Sequence, residues 1–250
     1  MNNKVIYTSL VGKCDDLLQP EVVREDFDYV CFTDQMQTER IGVWEMRTIP
    51  FSNKDKSRVS RYPKLLPHVV LPEYEYSVYI DANVQIVGVE FYEAIDNKIS
   101  SGCLIAQVRH LAPTIDCTYD EIAFAFRCNK VTLLQAIRQT SFLKENNFPR
   151  HFGLFENNLI FRRHNHERVV MLSQQWWDLY MQYAPRDQFM LMYVYWRNNF
   201  MPEYFFDENT STKNTPCVRY YQHVRPKRYF GLGTLHWRSY PLVKRLFLDV

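Results

Sequence analysis

Tyr76-Ser77-Val78-Tyr79-Ile80-Asp81-Ala82-Asn83-Val84-Gln85-Ile86 is a mostly apolar run that delivers an acid and an amide and then turns apolar again. Aromatic and β-branched residues fit a pleated, buried surface. The run therefore reads as a buried strand that hands Asp81 and Asn83 to a loop and resumes as a second strand. In open α/β sheets ligands lie beyond the carboxyl ends of strands. An Asp-x-Asn step at such an end can hold a divalent cation, because hard cations accept carboxylate and amide oxygen alike.

Upstream, residues 4–10 read as a first strand that enters a turn at Gly12. Residues 26–34 read as a second strand ending in a Thr33-Asp34 turn, and Gly42 to Ile49 as a third, stopped by Pro50. Between them and the Asp81 loop lies a basic segment, Lys54 to Val70, in which Arg58, Arg61 and Lys64 recur every three residues. On a helix this spacing spreads them over about 120° of one side. Tyr62, Leu65, Leu66 and Val69 supply the buried side, and Pro63 predicts a kink or a late start. Two readings stay open: a solvated basic face, or a cationic arm that neutralises a diphosphate beside Asp81.

Downstream, residues 91–99 read as a short helix and residues 102–108 as a central strand ending in Arg109-His110. Thr118 followed by Glu121 has the spacing of a capping box, which would occupy Asp120 and Glu121 in a first helical turn. A further helix covers roughly 131–145, and 148–163 reads as loop then strand. There Glu156 and Asn157 stand in apolar surroundings. A buried carboxylate is costly unless it is paired or bonded, so Glu156 either pairs with a nearby arginine or holds a polar substrate. Residues 167–183 form an amphipathic helix in which Trp176 and Trp177 are core residues. Pro185-Arg186-Asp187-Gln188 opens another helix, whose dipole Asp187 can answer. The tail is basic and aromatic from Tyr220 to Arg228, then glycine-containing up to Trp237.

Strands alternating with helices predict a mostly parallel sheet with helices on both faces. The 250 residues, 46% hydrophobic, suit one large core. We expect a single domain over 1–250, with a nucleotide-binding part at about 1–110, an acceptor and sugar part at 111–200, and a tail at 201–250. A net charge of +2 gives no electrostatic case for nucleic-acid binding. The six cysteines form no C-x-x-C pair and suit a reduced, cytoplasmic setting. No run of about 18 apolar residues is present, and neither a membrane span nor a signal region is expected.

Taken in order, the motifs are Ile6-Tyr7-Thr8 to Gly12, residues 28–34, Arg58 with residues 61–64, residues 76–83, residues 119–121, Phe148-Pro149 with residues 154–157, residues 162–165, Trp176-Trp177 and residues 186–188. With them the chain resembles a glycosyltransferase family first catalogued as a domain of unknown function, with bacterial polysaccharide-locus and plant Golgi members. The resemblance implies a GT-A-like (Rossmann-like) α/β fold, a nucleotide-sugar donor such as a UDP-sugar, and Mn²⁺ or Mg²⁺ at Asp81 and Asn83. His236 or His223 is the expected third ligand. Asn83 replaces a carboxylate, so the cation should be held less tightly than by two acids. Arg58, Arg61 and Lys64 would meet the diphosphate, with Tyr7, Thr8 and Asp34 near base and ribose. Arg186 and Gln188 join the donor contacts, and Asp187 and Glu156 are the candidate catalytic carboxylates.

The expected activity is sugar transfer to a glycan or lipid-linked acceptor in surface polysaccharide synthesis, with retention of configuration. The basic tail suggests peripheral contact at the inner membrane face. Two other readings stand against this one. One is a non-catalytic nucleotide- or carbohydrate-binding module, motivated by Asn83. The other is a phosphate-handling hydrolase that uses Asp81 as a metal ligand.

Overall fold

A computed structural model describes residues 2–12, 16–111, 115–183 and 186–221. Among the described residues ten strands form: β1 (Lys4–Leu10), β2 (Asp28–Thr33), β3 (Arg40–Ile41), β4 (Trp44–Thr48), β5 (Tyr76–Ile80), β6 (Val84–Ile86), β7 (Ile105–Arg109), β8 (Phe155–Arg162), β9 (Glu203–Tyr204) and β10 (Val218–Tyr220). Seven helices among the same residues accompany them: α1 (Lys56–Leu65), α2 (Pro67–Val70), α3 (Glu90–Ser100), α4 (Thr118–Arg127), α5 (Leu133–Glu145), α6 (Glu167–Tyr183) and α7 (Gln188–Arg197). They gather into two compact units. The first holds the chain up to Arg109, Glu156–Trp177 and the segment from Pro202; the second holds His110–Phe155 and Asp178–Met201.

The first unit carries an eight-stranded sheet in the order β3-β4-β2-β1-β5-β8-β7-β9. β4, β2, β1 and β5 run parallel, with Tyr7 opposite Val30 on one side and Tyr79 on the other. β8 is antiparallel to β5, setting Ile80 against Leu159. The central strands are buried almost throughout, as expected for strands covered on both faces and written as continuous apolar runs. Ile6, Val78, Leu159, Phe161 and Phe91 share one core, each such side chain stabilising the fold by roughly 1.5–3 kcal/mol. Trp176 and Trp177 are buried as expected, and Trp177 meets Phe51 and Tyr62 edge-on.

The basic segment folds as two short helices. Asp55 caps α1 by accepting from the Ser57 amide at 2.9 Å. Pro63 lies inside α1 instead of delaying its start, and the helix ends within three residues at Leu66, before Pro67 opens α2. A proline near a C-terminus removes a single backbone bond, and the last turn tolerates that loss.

In the second unit α7 is buried on nearly every side over residues 188–195, which explains why its sequence is apolar all round. Phe148 meets Tyr193 and Trp196 edge-on, with ring centroids 6.0 and 5.7 Å away. The expected capping box at Thr118 does not form. Cys117 occupies the cap position, Thr118 is the first helical residue, and its hydroxyl is buried without a partner among the described residues. The box is made one helix later. Thr132, in an extended conformation, accepts from the Gln135 amide at 3.2 Å, while the Gln135 side chain accepts from the Thr132 amide at 2.8 Å. A cap needs a non-helical backbone, and Thr132 has it.

No helix among the described residues is long and apolar enough to cross a membrane.

Candidate functional site

Asp81 follows β5 directly, at the carboxyl end of a central strand. Its amide donates to the Asn158 carbonyl at 2.8 Å, and its own carbonyl accepts from the Val84 amide at 2.9 Å, which closes the turn. The Tyr79 hydroxyl donates to Asp81 Oδ1 at 2.8 Å. The Lys64 ammonium stands 3.5 Å from the same oxygen and 4.9 Å from the Tyr79 ring centre. Lys64 is 1% exposed and the Asp81 side chain 20%, so the cation is inside and the acid faces out.

β6 pairs antiparallel with β10, and this ladder carries Asn83. The Tyr221 amide donates to the Asn83 carbonyl at 2.8 Å, and Asn83 Nδ2 donates to the Tyr221 carbonyl at 2.6 Å. Only an N–H can meet a carbonyl, so the amide's orientation is set. Asn83 Oδ1 is thereby left buried with no hydrogen-bond partner among the described residues. Leaving a buried acceptor unmet costs about 1–3 kcal/mol. An oxygen-seeking cation would satisfy it, and the Asp81 carboxylate is two residues away. The pair fits Mn²⁺ or Mg²⁺, which hold few protein oxygens and complete their shell with phosphate and water.

Arg162 is a second buried cation here, 2% exposed. Its Nη2 donates to the Tyr7 hydroxyl and to the Lys64 carbonyl, both at 2.6 Å. That carbonyl is one of those a helix C-terminus leaves unbonded, so Arg162 pins the end of α1 that carries Lys64. Burial pushes the Tyr7 hydroxyl up to about 12 against the pull of Arg162, so it stays neutral and can accept.

The other predicted donor residues separate. Arg58 faces Asp55 at 3.8 Å and does not bridge to Asp81; its own helix cap lies nearer. Arg61 donates to the Ser60 hydroxyl at 3.2 Å. The wholly solvated basic face is excluded for Lys64. Asp34, after β2, accepts from the Gly12 amide at 3.1 Å and pairs with Lys56 at 2.6 Å. Burial raises its carboxyl, but Lys56 and the Gly12 amide outweigh that and hold it below its ordinary value. Tyr7 and Thr8 are interior, 0% and 1% exposed, with no side-chain surface for a nucleotide to rest on.

Glu156 is buried, and its Oε2 accepts from the Thr212 hydroxyl at 2.6 Å and the Thr212 amide at 3.3 Å. Among the described residues threonine, not arginine, satisfies it. Thr212 also accepts from Asn158 Nδ2 at 2.7 Å, and Gln107 donates to Asn157 Oδ1 at 3.0 Å.

In the second unit Arg186 pairs with buried Glu121 at 3.2 Å, and Gln188 donates to the Phe155 carbonyl. Asp187 is 7% exposed at the head of α7 and makes no capping bond. The same unit holds a cluster that the residue patterns did not anticipate. His151 Nδ1 lies 2.8 Å from both oxygens of Asp116, and the Cys117 thiol 3.3 Å from Asp120 Oδ2. The four donor groups fall within 4.8 Å of one another, a mixed nitrogen, sulfur and oxygen set able to hold a metal. His151 holds the Asp116 carboxyl below its ordinary value, while burial raises the Cys117 thiol. His223 and His236 lie outside the described residues.

Tyr79, Arg162 and Thr212 are the site neighbours that sequence reasoning missed. A tyrosine two residues before the acid and on the same side of its strand was the one available signal. Arg162, which lies in the 162–165 motif, and Thr212 reach the site from far along the chain, and nothing local in the sequence ties either to Asp81.

No curated protein matches the chain. Among solved structures, mouse xyloside xylosyltransferase 1 in its apo form is similar at 12% identity, with a TM-score of 0.42, covering 81% of this chain and 84% of that one. A197 from STIV is similar at 15% identity with a TM-score of 0.28, covering 46% of this chain and 50% of that one. The family of TOD1/MUCI70 glycosyltransferase-like domains matches residues 3–211. The chain belongs to that family.

Proposed function

We propose that this chain transfers a sugar from a nucleotide-diphosphate donor, a UDP-sugar, to a glycan or lipid-linked acceptor in surface polysaccharide synthesis. The observation that carries the reading is the strand-end pair, an outward Asp81 beside an unsatisfied, buried Asn83 oxygen, backed by buried Lys64. Breaking a glycosidic bond to a diphosphate builds negative charge on the leaving group, and fixed positive charge there lowers the barrier. Lys64 supplies one such charge in a position set by Arg162. A divalent cation on Asp81 and Asn83, when bound, supplies the rest. Asp34 stands at the end of β2, where base and ribose would lie.

Retention of configuration is the stereochemistry we favour, since it asks for no strong base and Glu156 is already engaged by Thr212. Asp187 and Arg186 are proposed to meet sugar hydroxyls. The described cysteines are free, which agrees with a reducing compartment. The test is a panel of nucleotide sugars, read by thermal shift with and without Mn²⁺ and then by transfer to glycan acceptors. A bound donor stabilises the fold by mass action. If no nucleotide sugar raises the melting temperature or turns over, the proposal fails. A second reading, binding without turnover, is favoured by the neutral Asn83 ligand; UDP binding with no transfer over a broad acceptor panel would select it.

A further inference from the structure

We propose that Asp116, Cys117, Asp120 and His151 hold a Zn²⁺ ion that ties the head of α4 to the segment carrying His151. The inference goes beyond the sugar-transfer reading and does not depend on it. These four residues lie in the second unit, and Asp81 and Asn83 lie in the first.

Asp116 and Cys117 directly precede α4, and Asp120 stands in its first turn. His151 arrives from 35 residues beyond Asp116. Its Nδ1 is 2.8 Å from both Asp116 oxygens, Cys117 Sγ is 3.3 Å from Asp120 Oδ2, and all four donor atoms fall within 4.8 Å of one another. Tetrahedral zinc, with bonds of about 2.0–2.3 Å, sets its ligand atoms about 3.3–3.7 Å apart. The present cluster brackets that spacing, and shifts of about 1 Å would reach it.

The donor types choose the ion. A thiolate, an imidazole nitrogen and two carboxylate oxygens are zinc ligands, and four of them fill the tetrahedron, as in a structural site. Mn²⁺ and Mg²⁺ prefer oxygen alone and keep waters, so this set is distinct in kind from Asp81 and Asn83. Two carboxylates and a thiolate this close repel one another unless a cation stands between them. Cys117 is 1% exposed, and the His151 backbone amide is aimed at its sulfur, which suits the thiolate form. As the S–Zn bond forms, the thiol proton passes to solvent. The Asp116 and His151 side chains, 62% and 65% exposed, leave an open side by which the ion can enter. As a surface ion pair alone they would add little to the fold. The Tyr119 hydroxyl already donates to the Phe148 carbonyl at 2.7 Å, and zinc would add a second tie between α4 and that segment.

The experiment strips the full chain with a chelator and titrates Co²⁺, a coloured stand-in for zinc, followed by Zn²⁺. Wild type should take up one Co²⁺ with a thiolate-to-cobalt charge-transfer band and the visible bands of a tetrahedral ion. One equivalent of Zn²⁺ should erase both, and a hundredfold excess of Mn²⁺ should not. Cys117→Ala should lose the charge-transfer band, and His151→Gln should bind Co²⁺ at least tenfold more weakly. Asp81→Asn should bind it as wild type does. Zn²⁺ should raise the melting temperature of wild type and of neither Cys117→Ala nor His151→Gln, because an ion that binds the folded state stabilises it by mass action.

A wild-type spectrum without the thiolate band overturns the inference. So does a band that survives Cys117→Ala, which would come from another thiol such as exposed Cys128. If Cys117→Ala does not fold, His151→Gln decides, since its side chain is largely in water; unchanged Co²⁺ affinity there overturns the site. Loss of the band in Asp81→Asn would move the cation to the other corner and overturn it as well.

Discussion

Two corners of this molecule each set an acid against a base, with opposite burial. After β5, Lys64 is inside at 1% exposure and its partner Asp81 keeps 20% of its side chain in water. At the α4 corner of the second unit, Glu121 is inside at 7% and Arg186 faces out at 28%. The member that faces water is the one free to trade partners. The first corner therefore offers a carboxylate to a cation, and the second offers a guanidinium to an anion. An ion pair's burial, more than its length, separates the group that serves the fold from the group available to a ligand.

The largest effect should come from removing the outward acid. Asp81→Asn should lower kcat by about 10²–10³, the scale for losing one charge-stabilising element. It should also cost up to about 3 kcal/mol of stability, the low end for a broken buried pair, because Asp81 is partly solvated. Glu121→Gln removes an inward acid whose partner can turn to water. It should cost about 1 kcal/mol and leave kcat within tenfold of wild type. Steady-state kinetics and urea unfolding of both variants make the check. A Glu121→Gln enzyme as inactive as Asp81→Asn would break the comparison.

How much of this was legible beforehand follows the range of each interaction. The strand ending at Asp81 and the helix over 167–183 were written in the local order of apolar and polar residues, and α7 in a continuous apolar run. The pairings were not. Asn83 bonds Tyr221 and Glu156 bonds Thr212, across separations of 138 and 56 residues. His151 finds Asp116 across 35 residues, for which no local pattern exists. Tyr7 shows the converse. Its place at a strand end suggested a nucleotide contact, but a phenol that is 0% exposed and bonded to Arg162 belongs to the core. The misplaced capping box was a third kind of error: the Thr-x-x-Glu spacing was present, but the backbone turned helical one residue too early for it.

The histidines extend the contrast to pH. In the first unit His164 is 0% exposed, its Nε2–H donates to the Leu71 carbonyl at 2.8 Å, and its Nδ1 has no partner among the described residues. Burial lowers its pKa to about 4. The unfolded chain then takes up the proton first, at the ordinary value of about 6.5. Stability is complete above that value and is lost as pH falls toward 4, by roughly 3 kcal/mol in all at one proton's slope. In the second unit Asp116, held low by exposed His151, works in a different window. Its contribution is present above the ordinary carboxylate value and is lost only below it. Urea midpoints measured between pH 7 and 4 should therefore fall in wild type and fall less in His164→Gln. Equal slopes in the two proteins would remove His164 from the account.

The Glu156 carboxylate offers a smaller test, of whether an inward acid near the site serves structure. Thr212→Val removes the hydroxyl that donates at 2.6 Å and that also accepts from Asn158. The expected loss is about 1–3 kcal/mol, the cost of leaving buried polar atoms unmet, with KM for the donor changed less than threefold. A change in kcat without a change in stability would instead make Glu156 a participant in the chemistry.

The smallest effects come from two threonines of the second unit that look alike in sequence. Thr132 is extended, makes the reciprocal bonds with Gln135, and satisfies amides that α5 leaves open. Thr132→Ala should cost about 1 kcal/mol. Thr118 stands inside its helix with its hydroxyl buried and unmet. Thr118→Val keeps the shape and removes the polar atom, so its change should lie within about 0.5 kcal/mol of zero or be stabilising, since a buried hydroxyl with no partner costs free energy that a methyl does not. Thermal or urea unfolding of the two variants decides it. If Thr118→Val lost as much as Thr132→Ala, the hydroxyl would have to be bonded in solution, and α4 would begin one residue later than Thr118.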